Sequence, residues 1–127
     1  MFAALITIFA LLAACQPPTT LTSDDLVGIW TTDYGHFTEY REDGTFRNAD
    51  YLEGLEARVI EKGKYQLQGT RLTLQNAEDS VYCPGAEGSY QIQITKDGEM
   101  IYELEADECA TRRIHITTEG PKYRVSP

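Results

Sequence analysis

From Val27 onward the apolar residues of this chain recur at every second position almost throughout, the period of a strand with one buried face. Tyr90, Ile92 and Ile94 alternate with Gln91 and Gln93, and Tyr102 and Leu104 alternate with Glu103 and Glu105. One-sided burial of this kind belongs to antiparallel sheets. Asp-Gly between β-prone runs marks a tight hairpin. It occurs twice, as Asp43-Gly44 ahead of Thr45-Phe46-Arg47-Asn48 and as Asp97-Gly98 between residues 89–95 and 100–105. Gln68-Gly69-Thr70 separates residues 64–67 from 72–74 in the same way, and residues 114–117 and 123–125 read as closing strands. About eight to ten short strands at near-even spacing point to an all-β domain, a sandwich or an up-and-down barrel.

Two stretches break the rhythm. In residues 49–60, Tyr51, Leu52, Leu55 and Val59 fall near helical spacing. Gly54 weakens a long helix there, so a single turn capping one end of the fold is expected. Residues 76–88 are the longest unpatterned loop and carry Cys83. No internal repeat is evident, and no domain boundary follows residue 24.

The N-terminus is organised differently. Residues 2–14 are apolar and uncharged, but too few to cross a bilayer core, which takes roughly 20 in a helix. Their length suits the h-region of a signal peptide. Leu12-Ala13-Ala14-Cys15 resembles a bacterial lipobox, in which the cysteine is acylated and becomes the mature N-terminus. The n-region is only Met1, without Lys or Arg, as it would be if the true start codon lay upstream. A plain secretory signal and a buried helix are the alternatives. Lipid on Cys15 (a diacylglyceryl group, with palmitate-like chains) would supply the two chains that make a stable membrane anchor. Gln16-Pro17-Pro18-Thr19-Thr20 then suits an extended tether. The expected organisation is a signal peptide over 1–15, a tether over 16–24 and one barrel domain over 25–127.

Lys and Arg number 11 against 20 Asp and Glu, a net charge of −9. A phosphate backbone repels such a surface, which argues against nucleic acid. The acidity either keeps the domain dispersed or offers a face to a cationic partner. With Cys15 assigned to lipid, Cys83 and Cys109 remain as a pair in an exported, oxidising compartment. A disulfide between them is expected and would contribute about 3.5 kcal/mol in the chain-entropy model; free or reactive thiols are the alternative. No CxxC and no zinc spacing is present.

Gly28-Ile29-Trp30, at the start of the first strand, resembles the G-x-W signature of the lipocalins and the wider calycin superfamily. The layout that follows is similar to that of small lipocalin-like bacterial lipoproteins. It comprises Asp43-Gly44-Thr45-Phe46, Gly63-Lys64-Tyr65, Leu72-Thr73-Leu74, Gly88-Ser89-Tyr90, and Cys109 followed by Arg112. The likeness spans residues 26 to 125 in layout and rests on a handful of positions. It implies a closed antiparallel up-and-down barrel in which the tryptophan plugs one end against an arginine from the last strand region. Strand parity picks the arginine. With Ile114 and Ile116 inward, Arg112 shares their face, while Arg113, His115 and Arg124 point away. Gly28, Trp30 and Arg112 are therefore the expected plug, with Arg112 stacked on the indole. The chain is markedly shorter than ordinary lipocalins, which leaves less room inside.

Tyr40, Phe46, Tyr65, Tyr90, Tyr102 and Tyr123 are the candidate ligand-lining residues, with Tyr34 and Phe37 also in the aromatic set. The interior of an eight-stranded barrel is just wide enough to be filled by such side chains or to hold one small ligand. Nothing points to catalysis: there is no serine elbow and no Gly-rich phosphate loop. His36 and His115 lack a companion at ligand spacing and read as solvated strand residues, so neither metal nor cofactor is expected. Glu103, Glu105, Asp107 and Glu108 read as a solvated acidic face. One expected function is binding of a small apolar or amphipathic molecule inside a membrane-anchored barrel. The other is a protein-binding module, such as an inhibitor of an exported lysozyme-like enzyme; a structural envelope protein is the remainder. Interior volume separates them. An open cavity of about 300 Å³ or more lined by Tyr65, Tyr90 and Tyr102 supports the first. A filled barrel with a protruding loop at 76–88 supports the second.

Overall fold

The computed structural model describes residues 20–126. The expected signal segment, Cys15 and residues 16–19 of the expected tether lie outside the described residues. No helix among the described residues is long and apolar enough to cross a membrane.

Among the described residues, eight strands form one antiparallel sheet: β1 (Gly28–Thr31), β2 (Phe37–Tyr40), β3 (Thr45–Ala49), β4 (Glu61–Gln68), β5 (Arg71–Asn76), β6 (Glu87–Ile94), β7 (Met100–Asp107) and β8 (Tyr123–Arg124). Consecutive strands from β1 to β7 are neighbours, and β8 returns to pair with β1. The two edges of the curled sheet meet at a single bridge. There Met100 and Lys122 exchange backbone hydrogen bonds of 2.8 and 2.9 Å. The chain is the all-β, up-and-down, barrel-like fold that its alternation predicts. Gly44 and Gly98 take φ of +82° and +81° in their hairpins, a conformation that an L side chain resists.

Among the described residues, three short helices accompany the sheet: α1 (Ser23–Leu26), α2 (Gly54–Ala57) and α3 (Ala110–Thr118). The turn expected within 49–60 is α2, which buries Leu55 and leaves Tyr51 and Leu52 exposed. Helix α3 is a correction, because residues 114–117 read as a strand. Their β-branched side chains favour extension, but tertiary contacts override them. Cys109 caps the helix, its sulfur accepting from the Arg112 N–H, and Arg112 reaches back to Asp107 across the first turn.

Loop lengths give the barrel two unlike ends. The β2–β3, β4–β5 and β6–β7 hairpins share one end with α1. The longer β3–β4, β5–β6 and β7–β8 connections share the other with the β1–β2 turn, and carry α2, the 76–88 loop and α3. Toward the hairpin end the interior is apolar, with Leu26, Trp30, Tyr40, Phe46, Tyr65, Leu72, Ile92 and Met100 packed together. Toward the loop end it is polar, and Thr38, Glu61, Asn76, Asp107 and Arg112 are all buried.

Trp30 does plug the hairpin end, but not against Arg112. Arg124 lies on the indole, its guanidinium carbon 4.4 Å from the ring centroid. Trp30 and Arg124 are direct cross-strand partners, and such partners share a sheet face. Arg124 is therefore on the indole's side and Tyr123 on the other, the reverse of the parity expected for the last strand. The same register removes Tyr123 from the interior. The Arg124 guanidinium also donates to the carbonyls of Val27 (2.7 Å) and Asp25 (2.6 Å), while the Trp30 indole N–H donates to Leu26 (2.8 Å). Gly28 makes the stacking possible. Its φ is +133°, and a Cβ there would sit 2.6 Å from Arg124 Nη1.

Candidate functional site

The loop end is built around Arg112, which α3 delivers into the barrel. Its Nε and Nη2 pair with the two Asp107 oxygens at 2.7 and 2.8 Å, a bidentate contact. Its Nη1 donates to Glu61 at 3.0 Å and to Asn76 Oδ1 at 2.5 Å. Asp107 also accepts from the Tyr90 hydroxyl and from the Cys109 N–H. Asp107 is thus not part of a solvated acidic face. A bulge explains why: Tyr90 pairs with Leu104 and Ser89 with Ala106, so Glu105 is one residue extra. Glu103 and Glu105 stay outside, and the inserted residue turns Asp107 inward. Gly88, across from Asp107, has room for no side chain: a Cβ would lie 2.6 Å from Asp107 Oδ2 and 2.7 Å from Arg112 Nη2.

Burial sets the protonation behaviour here. It pushes the Glu61 carboxyl up, and Arg112 only partly offsets this. It pushes the Lys122 ammonium down to about 8, against the pull of Glu119 and Glu61. Lys122 donates to Thr38 Oγ1 at 2.5 Å and lies 5.6 Å from the Tyr102 ring centroid. Burial also raises Tyr40, Tyr90 and Tyr102. For Tyr90, the Asp107 carboxylate adds to the effect.

Most candidate aromatics fill the core. Tyr40 and Tyr65 meet edge to face at 5.1 Å, as do Tyr90 and Tyr102 at 6.0 Å, and the Tyr40 and Tyr102 hydroxyls bond at 2.9 Å. Tyr34, by contrast, is exposed. The space beside this stack is a crevice of about 50 Å³ at the loop end. Tyr40, Phe46 and Tyr102 border it, but Tyr65 and Tyr90 do not. That volume is room for a few waters, well short of the roughly 300 Å³ at which ligand pockets begin. A larger hollow of about 440 Å³ is a surface groove over β3 and β4, lined in part by Arg41, Arg47, Lys62 and Lys64. Three of these cations are already paired, with Glu39, Glu56 and Asp79.

The rim of the crevice holds two features. The first is the 76–88 loop. Cys83 is bonded to Cys109, with their Cα atoms 5.5 Å apart, so the expected disulfide staples this loop to the start of α3. Buried Asn76 donates to the carbonyls of Tyr82 (3.1 Å) and Cys83 (3.0 Å), and Ser80 Oγ donates to Tyr82 (2.8 Å). On this fixed frame Val81 is 68% exposed and Tyr82 42%. The loop carries Glu78, Asp79 and Glu87 and no Lys or Arg.

The second feature is a cluster that the sequence keeps far apart. His36, from the β1–β2 turn, meets His115 and Glu119 of the α3 segment; His36 and Glu119 are 83 residues apart in the chain. The imidazole centroids are 4.3 Å apart. The expectation that both histidines are solvated strand positions is corrected: His115 is helical, and both border the crevice. Helical spacing of His115 and Glu119 was the one available signal, and it needed α3 to be recognised first. Searches against protein-family models, curated proteins and solved structures give no match to this chain.

Proposed function

We propose that the protein is an exported, lipid-tethered protein-binding module that engages a cationic exported enzyme, of the lysozyme kind, through the 76–88 loop. The carrying observation is the contrast between a filled interior and a rigid rim. Tyrosines occupy the space that a lipocalin-type ligand would need, while Val81 and Tyr82 stand exposed on a loop fixed by a disulfide and by Asn76. A pre-organised loop loses little freedom on binding, and an exposed tyrosine is a common anchor of interfaces. The net charge of −9 and the loop's three carboxylates suit a basic target, which they would draw in and orient. Anchorage rests on Cys15, so Cys15→Ser should move the protein out of the membrane fraction.

The test is inhibition and direct binding of purified lysozymes of different types. The expected result is stoichiometric binding that weakens with salt, and weakens about 30-fold in Tyr82→Ala, a 2 kcal/mol anchor. Absence of binding to any of them, together with a small molecule co-purifying in native mass spectrometry, would restore the ligand-carrier reading.

A further inference from the structure

We propose that His36, His115 and Glu119 form a site for one divalent transition-metal ion, with zinc the best match, at the mouth of the crevice. The chain has only two histidines. They come from opposite parts of the sequence, yet both Nδ1 atoms address the same oxygen, Glu119 Oε1, at 2.5 Å from His36 and 3.4 Å from His115. One potential ligand atom from each of the three residues lies within 4.8 Å of the others. Bonds of about 2.0–2.2 Å in a tetrahedral site place ligand atoms roughly 3.4 Å apart. Rotation of the side chains, His115 being the most exposed of the three, closes the remaining gap.

The surroundings are those of a ligand set held in place from behind. His36 Nε2 is 3.3 Å from Asp50 Oδ1, so coordination through Nδ1 leaves the second ring N–H to a carboxylate, the usual outer partner of a metal-bound imidazole. Thr32 Oγ1 donates to Glu119 Oε2 at 3.3 Å, so the other oxygen, Oε1, is the one both imidazoles share and the one that would ligate. Glu119 caps the C-terminus of α3 one turn beyond His115, its N–H donating to the His115 carbonyl, so the helix end presets two ligands. All three residues border the crevice, as does Asn48, whose Oδ1 is buried without a hydrogen-bond partner among the described residues. Two nitrogens and one carboxylate oxygen favour zinc, or copper(II), over calcium and magnesium, which take oxygen ligands. The competing account is an ion pair of His36 with Glu119 that merely fastens the β1–β2 turn to α3.

The experiment uses the chain without a histidine tag. Zinc is titrated calorimetrically, and cobalt(II) is followed by its visible ligand-field bands. The expected result is one equivalent of either metal, intense bands of four-coordinate cobalt that zinc abolishes, and no competition from excess calcium or magnesium. His115→Ala and Glu119→Gln should each remove stoichiometric binding. Asp50→Asn should weaken it about 10–100-fold. Fluorescence of the lone Trp30, at the far end of the barrel, reports whether each variant is folded. Should His115→Ala fail to fold, Glu119→Gln decides, because it keeps its hydrogen-bonding shape. Absence of saturable binding, or binding undiminished in folded His115→Ala or Glu119→Gln, overturns the site and leaves the fastening ion pair.

Discussion

The two ends of the barrel are closed by different physics. At the hairpin end an indole fills the opening and Arg124 lies across it at the surface, held by two backbone carbonyls. At the loop end an arginine sits inside, fully paired with Asp107, Glu61 and Asn76, beneath a helix stapled by a disulfide. The first closure is mostly apolar burial. The second assembles charges that water would otherwise solvate, which holds only while every partner is present. The G-x-W end thus behaves as a stopper, and the end rich in loops as a platform.

The difference is sharpest in Arg112→Ala, which should cost about 3–5 kcal/mol by leaving two buried carboxylates without their cation. Denaturant unfolding should show that loss shrinking in acid, where the orphaned carboxyls accept protons. Trp30→Ala should cost a similar amount, about 3–5 kcal/mol, through the cavity it leaves. Its cost should not change with pH over the same range, and matching pH profiles for the two variants would erase the distinction. Reducing the Cys83–Cys109 bond should remove about 3.5 kcal/mol, seen as a lower melting temperature. Proteolysis of the reduced protein should then begin in the 76–88 loop.

Lys122 supplies a pH signature of the polar interior. Its buried ammonium titrates near 8, whereas the unfolded chain keeps the proton up to the ordinary lysine value of 10.5. Between those values the unfolded state binds more protons, so stability should rise as pH increases from 8 toward 10. Above that, the raised Tyr40, Tyr90 and Tyr102 act in the opposite sense. Lys122→Met should flatten the rise, and equilibrium unfolding across this interval checks it. The smallest effect belongs to Arg124→Ala, about 0.5–2 kcal/mol for the exposed cation–π contact, with little dependence on pH.

The strands were legible because alternation and Asp-Gly turns are local. Each of the three hairpins at the stopper end could be placed from a few residues. What was not legible depends on single-residue events or long-range contacts. One unpaired residue, Glu105, reverses the parity of β7, and no pattern in Glu103–Asp107 announces it. Helix α3 hides behind Ile114, Ile116 and Thr117, which favour extension; Gly120-Pro121 just beyond it is the local stop signal of a helix. Read as a strand, that segment places Arg112 beside Trp30 and separates His115 from His36 and Glu119. The stopper was therefore readable in outline, and the platform was not.

The seam between β7 and β8 has a consequence for how the cylinder moves. One bridge, at Met100 and Lys122, joins edges that elsewhere in the sheet are joined by ladders of four or more residue pairs, apart from the two-pair contact of β8 with β1. Breathing starts where the fewest bonds must break, so deuterium should enter first along this line and last at the β4–β5 centre. The barrel is a hoop with a clasp, and a buried lysine sits on the clasp.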